Sequence, residues 1–319
     1  MNDSEKRDPN AILPMRVFVG GDETEEVAAR VLQYSIEKHA SGPVEVTIMR
    51  DFAIPKPKDH KNRSRTKFSF YRFKIPELCG WRGRALYVDS DMLVFKDLAE
   101  LWRIPFGAQK ILCTFQKDPP PAWKDHSWFH PGRQFSVMLL DCDRLPWRID
   151  DIIRGLDEGK FDYQDLLFRM CLVGHDEIGE RVPKEWNCLE HYEAGETALT
   201  HFTVVPTQPW KTDRTPLNAL WMAAYEEAVA AGAIDPNMVR AGIAGGWYKP
   251  SLEAALAKAP ASAYRAAPVG TADDQRKRAE ETVARLQRDI AAMRNSWTWK
   301  IGRLVTAPAR LLAGREESS

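Results

Sequence analysis

The stretch that most limits what this chain can fold into is RALYVDSDMLVFKDLAELW, residues 84 to 102. Ala85 to Val88 has the apolar and aromatic character of a buried strand, and it runs into two carboxylates, Asp89 and Asp91, with Ser90 between them. In an extended chain positions i and i+2 project to one side, so the spacing predicts neighbouring carboxylates. Such a pair repels unless a cation lies between its members. Hard divalent ions such as Mn²⁺ or Mg²⁺ suit it, because they take oxygen ligands and leave positions for substrate phosphates. Met92 to Phe95 is apolar again, and Asp97 is placed to open a short helix through Leu98, Leu101 and Trp102. A carboxylate pair at the C-terminal end of a strand lies where open α/β sheets bind their ligands. The same spacing recurs at Asp141 and Asp143, after the apolar run SVMLLD, so spacing alone leaves two candidate pairs.

Upstream, Met15 to Val19 reads as a short strand that runs into Gly20-Gly21-Asp22-Glu23. Val27, Val31, Leu32 and Ile36 then keep helical spacing, and Ser41-Gly42-Pro43 turns the chain into a second strand, Val44 to Met49. Strand, glycine-rich turn, helix, strand is how doubly wound nucleotide-binding sheets begin. The turn is not G-x-G-x-x-G, which argues against a dinucleotide. Asp22 reads equally as a helix cap and as an acceptor for a base or ribose beside Gly20.

Residues 55 to 74 interleave cations with aromatics. Arg72 lies inside the run Phe68-Ser-Phe-Tyr-Arg-Phe and is expected near the core, where its planar fork suits a diphosphate. The loop after the strand Lys110 to Phe115 is long and rich in Pro, Trp and His. Its Trp123, Trp128 and Phe129 could stack on a sugar ring, whereas His126 and His130 lack a carboxylate to complete a helical metal motif. Residues 136 to 141 read as a further strand. FDYQDLLF sets Asp162, Gln164 and Asp165 at the head of a helix, where acidic residues favour the helix dipole and Gln164 is free to face a cleft. His201 ends a short apolar strand and could join two carboxylates on a metal.

Lys+Arg and Asp+Glu are equal at 45 each, so no overall field recruits nucleic acid. Five scattered cysteines without C-x-x-C spacing fit a reducing compartment and argue against a disulfide framework or a zinc site. The charged start MNDSEKRDPNAILP lacks an apolar signal core, and no apolar run reaches the ~18 residues of a membrane span. The expectation is a cytoplasmic protein, or one held peripherally on the inner face of the membrane.

Taken in order, the opening strand with its acidic turn, FYRFKIPEL, LYVDSDMLV followed by DL-x-ELW, SVMLLD, YQD, WN and a closing His with Pro-Trp resemble the family 8 glycosyltransferases over about residues 15 to 212. The resemblance implies a GT-A fold, a mixed and mainly parallel sheet flanked by helices. It also implies a nucleoside diphosphate sugar donor (usually UDP), bound Mn²⁺ and retention of anomeric configuration. Carried over by position, Asp89, Asp91 and His201 become metal ligands. Gly20, Asp22, Arg72 and Ser90 become donor contacts, and Gln164 lies near the anomeric carbon with Asp162 and Asp165 beside it. The match selects Asp89 and Asp91 over Asp141 and Asp143. Three places depart from it. Gln134-Phe135-Ser136-Val137 stands for N-[SA]-G-V, Tyr163-Gln164 stands for D-Q, and Gln208 precedes Pro209 where the family has its diphosphate lysine, leaving Lys211 as the nearby cation.

Residues 1 to 14 are a polar lead, 15 to 212 the catalytic domain, 213 to 256 a helical extension and 257 to 270 an Ala-Pro-rich linker. Val283, Leu286, Ile290 and Met293, within 273–294, keep a spacing that fits a coiled-coil homodimer or a single amphipathic helix. Residues 295 to 315 carry Trp and basic residues that suit a membrane surface or docking on the protein itself. The sequence thus predicts a metal-dependent retaining transferase acting on a glycan or glycolipid acceptor. A degenerate sugar-nucleotide-binding scaffold and a D-x-D phosphatase are the alternatives.

Overall fold

A computed structural model of the protein describes residues 13–50, 52–63, 67–118 and 131–257. The aromatic loop residues Trp123, Trp128 and Phe129, with His126 and His130, lie outside the described residues. So do the linker beyond Ala257, the heptad stretch and the basic tail. The chain divides into residues 1–265 and 266–319.

β1 (Met15–Gly20), α1 (Glu26–His39) and β2 (Val44–Met49) follow the expected strand–turn–helix–strand order. After α2 (His60–Arg63), the aromatic run does not make one regular helix. It forms α3 (Lys67–Tyr71), a 3₁₀ turn at Arg72–Lys74, and α4 (Ile75–Leu78) with Pro76 in its first turn. Then come β3 (Arg84–Asp89), β4 (Met92–Val94), α5 (Ala99–Trp102), β5 (Ile111–Gln116) and β6 (Gly132–Asp141). α6 (Ile149–Asp157) and α7 (Tyr163–Phe168) precede three short strands, β7 (Ile178–Gly179), β8 (Cys188–Leu189) and β9 (Leu199–His201). The helices α8 (Asn218–Ala230), α9 (Pro236–Ala244) and α10 (Leu252–Leu256) close the described chain.

The main sheet has the order β2-β1-β3-β6-β5-β7. β1 pairs in parallel with both β2 and β3, and β5 in parallel with β7, whereas β6 runs antiparallel between β3 and β5. The sheet is therefore mixed and mainly parallel, with β6 alone reversed. One face packs Phe70, Phe73, Tyr87, Met138 and Trp147, and the other packs Val17, Val19, Leu32, Val88 and Leu139. Alternation along β1 and β3 divides these residues between two cores.

The reversal of β6 separates the two D-x-D pairs. Arg84 registers with Asp141, so Asp141 and Asp143 lie at the edge of the sheet opposite Asp89. Asp141 binds Arg144 there at 2.7 Å, and Asp143 accepts from the Gly83 amide at 2.7 Å. This pair holds a turn.

A smaller sheet, β4-β9-β8, collects the segments that follow the other pair. The helical extension packs α8 and α9 against α1, with α10 lying on α8 and α9, and buries Trp210, Trp221, Tyr225 and Tyr248 beside Val27 and Val31. Trp221 and Tyr225 stack at 5.4 Å, and Trp210 meets Trp221 at 5.7 Å. The Val27 amide at the head of α1 donates to the Tyr248 hydroxyl at 3.2 Å, supplying a partner for a helix-end donor. Among the described residues, no helix is long and apolar enough to cross a membrane.

Candidate active site

The two carboxylates are not neighbours on one continuous strand. Asp89 ends β3 in the main sheet, whereas Asp91 stands just before β4 in the small sheet, with a bend at Ser90 between them. The chain passes from one sheet to the other within this motif. Antiparallel pairing of β4 with β9 sets Met92 opposite His201, and the Phe202 amide donates to the Asp91 carbonyl at 2.8 Å. Strand register thereby delivers a histidine to the second aspartate. One ligand atom from each of Asp89, Asp91 and His201 lies within 4.8 Å of the others.

Each member has a partner on its outer side. Tyr87 Oη donates to Asp89 Oδ1 at 2.5 Å, and the Arg72 guanidinium reaches the same oxygen at 3.2 Å. Arg72 is buried, donates to the Phe135 carbonyl at 3.1 Å and lies 4.6 Å from the Tyr87 ring centroid. His201 Nε2 lies 3.0 Å from Asp91 Oδ1, and Nδ1 lies 3.0 Å from Asn187 Oδ1. The Asn187 amide nitrogen donates to Ser136 and Thr114, and its oxygen faces the imidazole, where it accepts from Nδ1–H. That bond fixes Nε2 as the atom available to a metal. Gln208 donates to Asp91 Oδ2 at 3.1 Å.

Electrostatics agree with a site built for added positive charge. Burial pushes the Asp89 carboxyl up from its ordinary value, against the pull of Arg72, and the Asp91 charge adds to the rise. Burial works to lower the His201 pKa, yet the Asp91 carboxylate and its hydrogen bond raise it overall. Two carboxylates and one imidazole give the mixed oxygen and nitrogen donor set that Mn²⁺ accepts. The residues fit such an ion.

Gly20 and Gly21 form the wall beside Asp89. Gly20 registers with Asp89, and its carbonyl accepts from the Ser90 amide at 2.8 Å. A Cβ on Gly20 would stand 2.2 Å from the Tyr87 hydroxyl, and one on Gly21 2.7 Å from Ser90. Close approach, not a left-handed backbone, requires these glycines. Asp22 caps the turn before α1, accepting from the Thr24 amide at 2.9 Å and the Thr24 hydroxyl at 2.6 Å. Ser90 donates to Glu25 Oε2 at 2.6 Å. Burial, followed by the charge on Asp91, pushes the Glu25 carboxyl up to about 8. Half-buried Lys211 carries the opposing charge toward Glu25, Asp22 and Asp91, while burial lowers its own pKa.

At the head of α7, Asp162 and Asp165 make a reciprocal capping box, each side chain accepting from the other's backbone amide. Asp165 also pairs with Arg169. Gln164 is exposed between them. Tyr87, Glu25 and Asn187 also meet the site, through Asp89, Ser90 and His201 respectively. Their sequence signals are thin: Asn187 follows Trp186 in a dipeptide, and Glu25 sits in an acidic run that reads as an ordinary helix start.

Comparison with known proteins bears on this arrangement. The family described as Glycosyl transferase family 8 matches residues 16–143. Protein CDI of Arabidopsis thaliana is 31% identical over 188 residues, spanning 56% of this chain and 70% of the relative. General stress protein A of Bacillus subtilis (strain 168) is 25% identical over 114 residues, 35% of this chain and 39% of the relative. Among solved structures, the galactosyltransferase LgtC in complex with donor and acceptor sugar analogs aligns with a TM-score of 0.50 at 14% identity, covering 67% of this chain and 96% of its own. The bifunctional glycosyltransferase WbbM in its apo form gives 0.50 at 14% identity, with 69% of this chain and half of WbbM covered. At such identities the likeness is one of fold.

Proposed function

The chain belongs to glycosyl transferase family 8, and from that premise we propose that it moves a hexosyl unit from a UDP-sugar to a glycan or glycolipid acceptor, with retention at the anomeric carbon. Membership in a transferase family sets the D-x-D phosphatase reading aside. The observation that carries the proposal is the convergence of Asp89, Asp91 and His201 beside the open end of β1. Mn²⁺, or Mg²⁺ in its place, is the ion proposed for these three ligands. When bound it supplies Lewis-acid stabilisation of the diphosphate leaving group.

The remaining roles belong to the chain's own side chains. Gly20 and Gly21, packed close on Tyr87 and Ser90, line the nucleoside's side of the cleft, with Asp22 and Ser90 at its border. Arg72 holds Asp89 in place and presents positive charge under the donor. Lys211 is the cation proposed for the diphosphate, since Gln208 is neutral and already bonded to Asp91. Gln164 faces the sugar from the head of α7, and Asp162 and Asp165 keep that helix end in position. Attack by the acceptor hydroxyl on the donor's own face, with its proton passing to the departing diphosphate, accounts for retention without a protein nucleophile. The place proposed for this reaction is the synthesis of a surface polysaccharide or glycolipid.

The test is a panel of nucleotide sugars measured by thermal shift, each with Mn²⁺ and with chelator, followed by acceptor screening with the donor that binds. Metal-dependent stabilisation by one UDP-sugar and its transfer to an acceptor is the expected result. Binding without transfer to any glycan or glycolipid would favour the scaffold alternative.

A further inference from the structure

Lys249 is a buried cation in the loop between α9 and α10. It is 4% exposed, and its ammonium lies 2.7 Å from Asp213 Oδ1 and donates to Asn218 Oδ1 at 2.5 Å. Its backbone amide donates to the Trp210 carbonyl at 2.8 Å. These contacts fall on both sides of Lys211, the amide one residue before it and the ammonium two residues after it. Between them the Lys211 and Thr212 amides close a turn on the Gln208 carbonyl at 2.9 and 3.2 Å, and the Ser251 hydroxyl donates to Asp213 Oδ1 at 3.0 Å. Lys211 stands on that turn, with its charge toward Glu25, Asp22 and Asp91. The residue before Lys249 anchors the same loop to another wall of the site. The Tyr248 hydroxyl accepts from the Val27 amide at the head of α1, just after the turn that carries Asp22 and Glu25.

A buried ammonium is costly unless its partners repay the desolvation, and a methionine would fill similar space without that cost. What the ammonium adds is orientation of the groups it binds. We propose that Lys249 is a positioning residue of the donor site, pinning residues 210 and 213 so that Lys211 is held toward the diphosphate. The inference rests on the reading of Lys211 as the diphosphate's cation. A lysine on a loose turn would spend much of its phosphate affinity on ordering both the turn and its own long side chain. Fixing the turn beforehand removes the backbone share of that cost. The helical extension thereby becomes part of the donor site. One loop, through the consecutive residues Tyr248 and Lys249, ties the turn of Asp22 and Glu25 and the turn of Lys211 to the same helices.

The experiment is a calorimetric titration of the full chain with UDP and with UMP, each in Mn²⁺, on wild type, Lys211→Ala, Lys249→Met and the double variant. Lys249→Met leaves Asp213, whose side chain is 59% exposed, to water, so no charge is stranded in the interior and the melting temperature should stay close to wild type. Lys211→Ala is expected to lose about 10-fold in UDP affinity, the scale of one charge-assisted hydrogen bond. Lys249→Met is expected to lose about 3- to 10-fold for UDP and less for UMP, and the double variant to bind UDP no worse than Lys211→Ala does. Asp213→Asn keeps the shape of the pin and removes its charge, which gives a second route should Lys249→Met fail to fold. Its loss for UDP should be smaller and should likewise vanish in the Lys211→Ala background. UDP affinity equal to wild type in both Lys249→Met and Asp213→Asn overturns the proposal. So do losses that multiply in the double variant, or that are equal for UDP and UMP, because those mark a general loosening of the fold. A Lys211→Ala protein that binds UDP as wild type does would overturn the reading of Lys211 and this inference with it. A wild-type chain that binds no UDP would overturn the donor reading as well.

Discussion

His201 Nε2 lies 3.0 Å from Asp91 Oδ1 because β4 and β9 pair antiparallel with Met92 opposite His201. The contact is a consequence of strand register in a sheet of three short strands, and it brings an imidazole to the carboxylate pair that the D-x-D spacing supplies. A one-residue slip of β9 would turn the imidazole to the other face of that sheet.

The two D-x-D pairs should separate cleanly by substitution. Asp91→Ala is expected to lower sugar transfer by about 100-fold or more, since the diphosphate charge would lose its stabilisation. Asp143→Ala removes only the acceptor for the Gly83 amide at the opposite edge of the sheet, at a cost of about 1 kcal/mol in stability, and should leave turnover near wild type. Steady-state rates and melting temperatures on both variants check this. Loss of transfer at Asp143 with retention at Asp91 would reverse the assignment.

Gly20→Ala is expected to destabilise the protein by about 1–3 kcal/mol, the usual cost of overpacking. The new methyl would fall 2.2 Å from the hydroxyl of Tyr87, which is fully buried and has no room to swing away. Tyr87 also donates to Asp89, so Mn²⁺ binding should weaken along with the melting temperature. A Gly20→Ala protein with unchanged stability would show that β1 and β3 are not packed as described.

Much of this arrangement is legible in the sequence. The strand before Asp89, the Gly-Gly turn, the helix after it and the strand ending at His201 all carry local patterns that survive folding. Arg72 was expected near the core from its aromatic neighbours, and it is buried there. What local pattern could not carry is relational. That β6 runs backwards, sending Asp141 and Asp143 to the far edge, follows from pairing between distant segments. The break between Asp89 and Asp91 looks like continuous strand in sequence, because both flanks are apolar. Asn187 and Gln208 reach His201 and Asp91 through side-chain hydrogen bonds, and an amide has no hydrophobic period to announce it.

Glu25 makes stability depend on pH. Burial, with the Asp91 charge second, raises its carboxyl from an ordinary value of 4.5 to about 8, so the folded protein holds a proton that the unfolded chain has released in between. The stabilisation from that proton is complete below about pH 4.5 and is lost as pH rises through about 8. Denaturant melts in chelator should therefore show stability falling across this window, and Glu25→Gln should flatten the fall. An identical pH profile in the variant would place the titrating group elsewhere.

At the head of α7, function and support should come apart. Gln164 is exposed, so Gln164→Ala should leave the melting temperature unchanged while lowering turnover about 10- to 100-fold. Asp162→Ala breaks the capping box and should cost about 0.5–2 kcal/mol of stability. Equal activity in Gln164→Ala and wild type would remove this residue from the reaction.

If Asp89, Asp91 and His201 hold the divalent ion proposed for them, donor binding depends on the metal and on the imidazole together. Calorimetric titration of UDP-sugars into wild type and His201→Ala, each with Mn²⁺ and with chelator, tests it most directly. Donor binding to wild type is expected to require Mn²⁺, and the variant, with its fold intact, is expected to lose at least about tenfold in affinity. Donor binding of equal strength with chelator, or in His201→Ala, would contradict it.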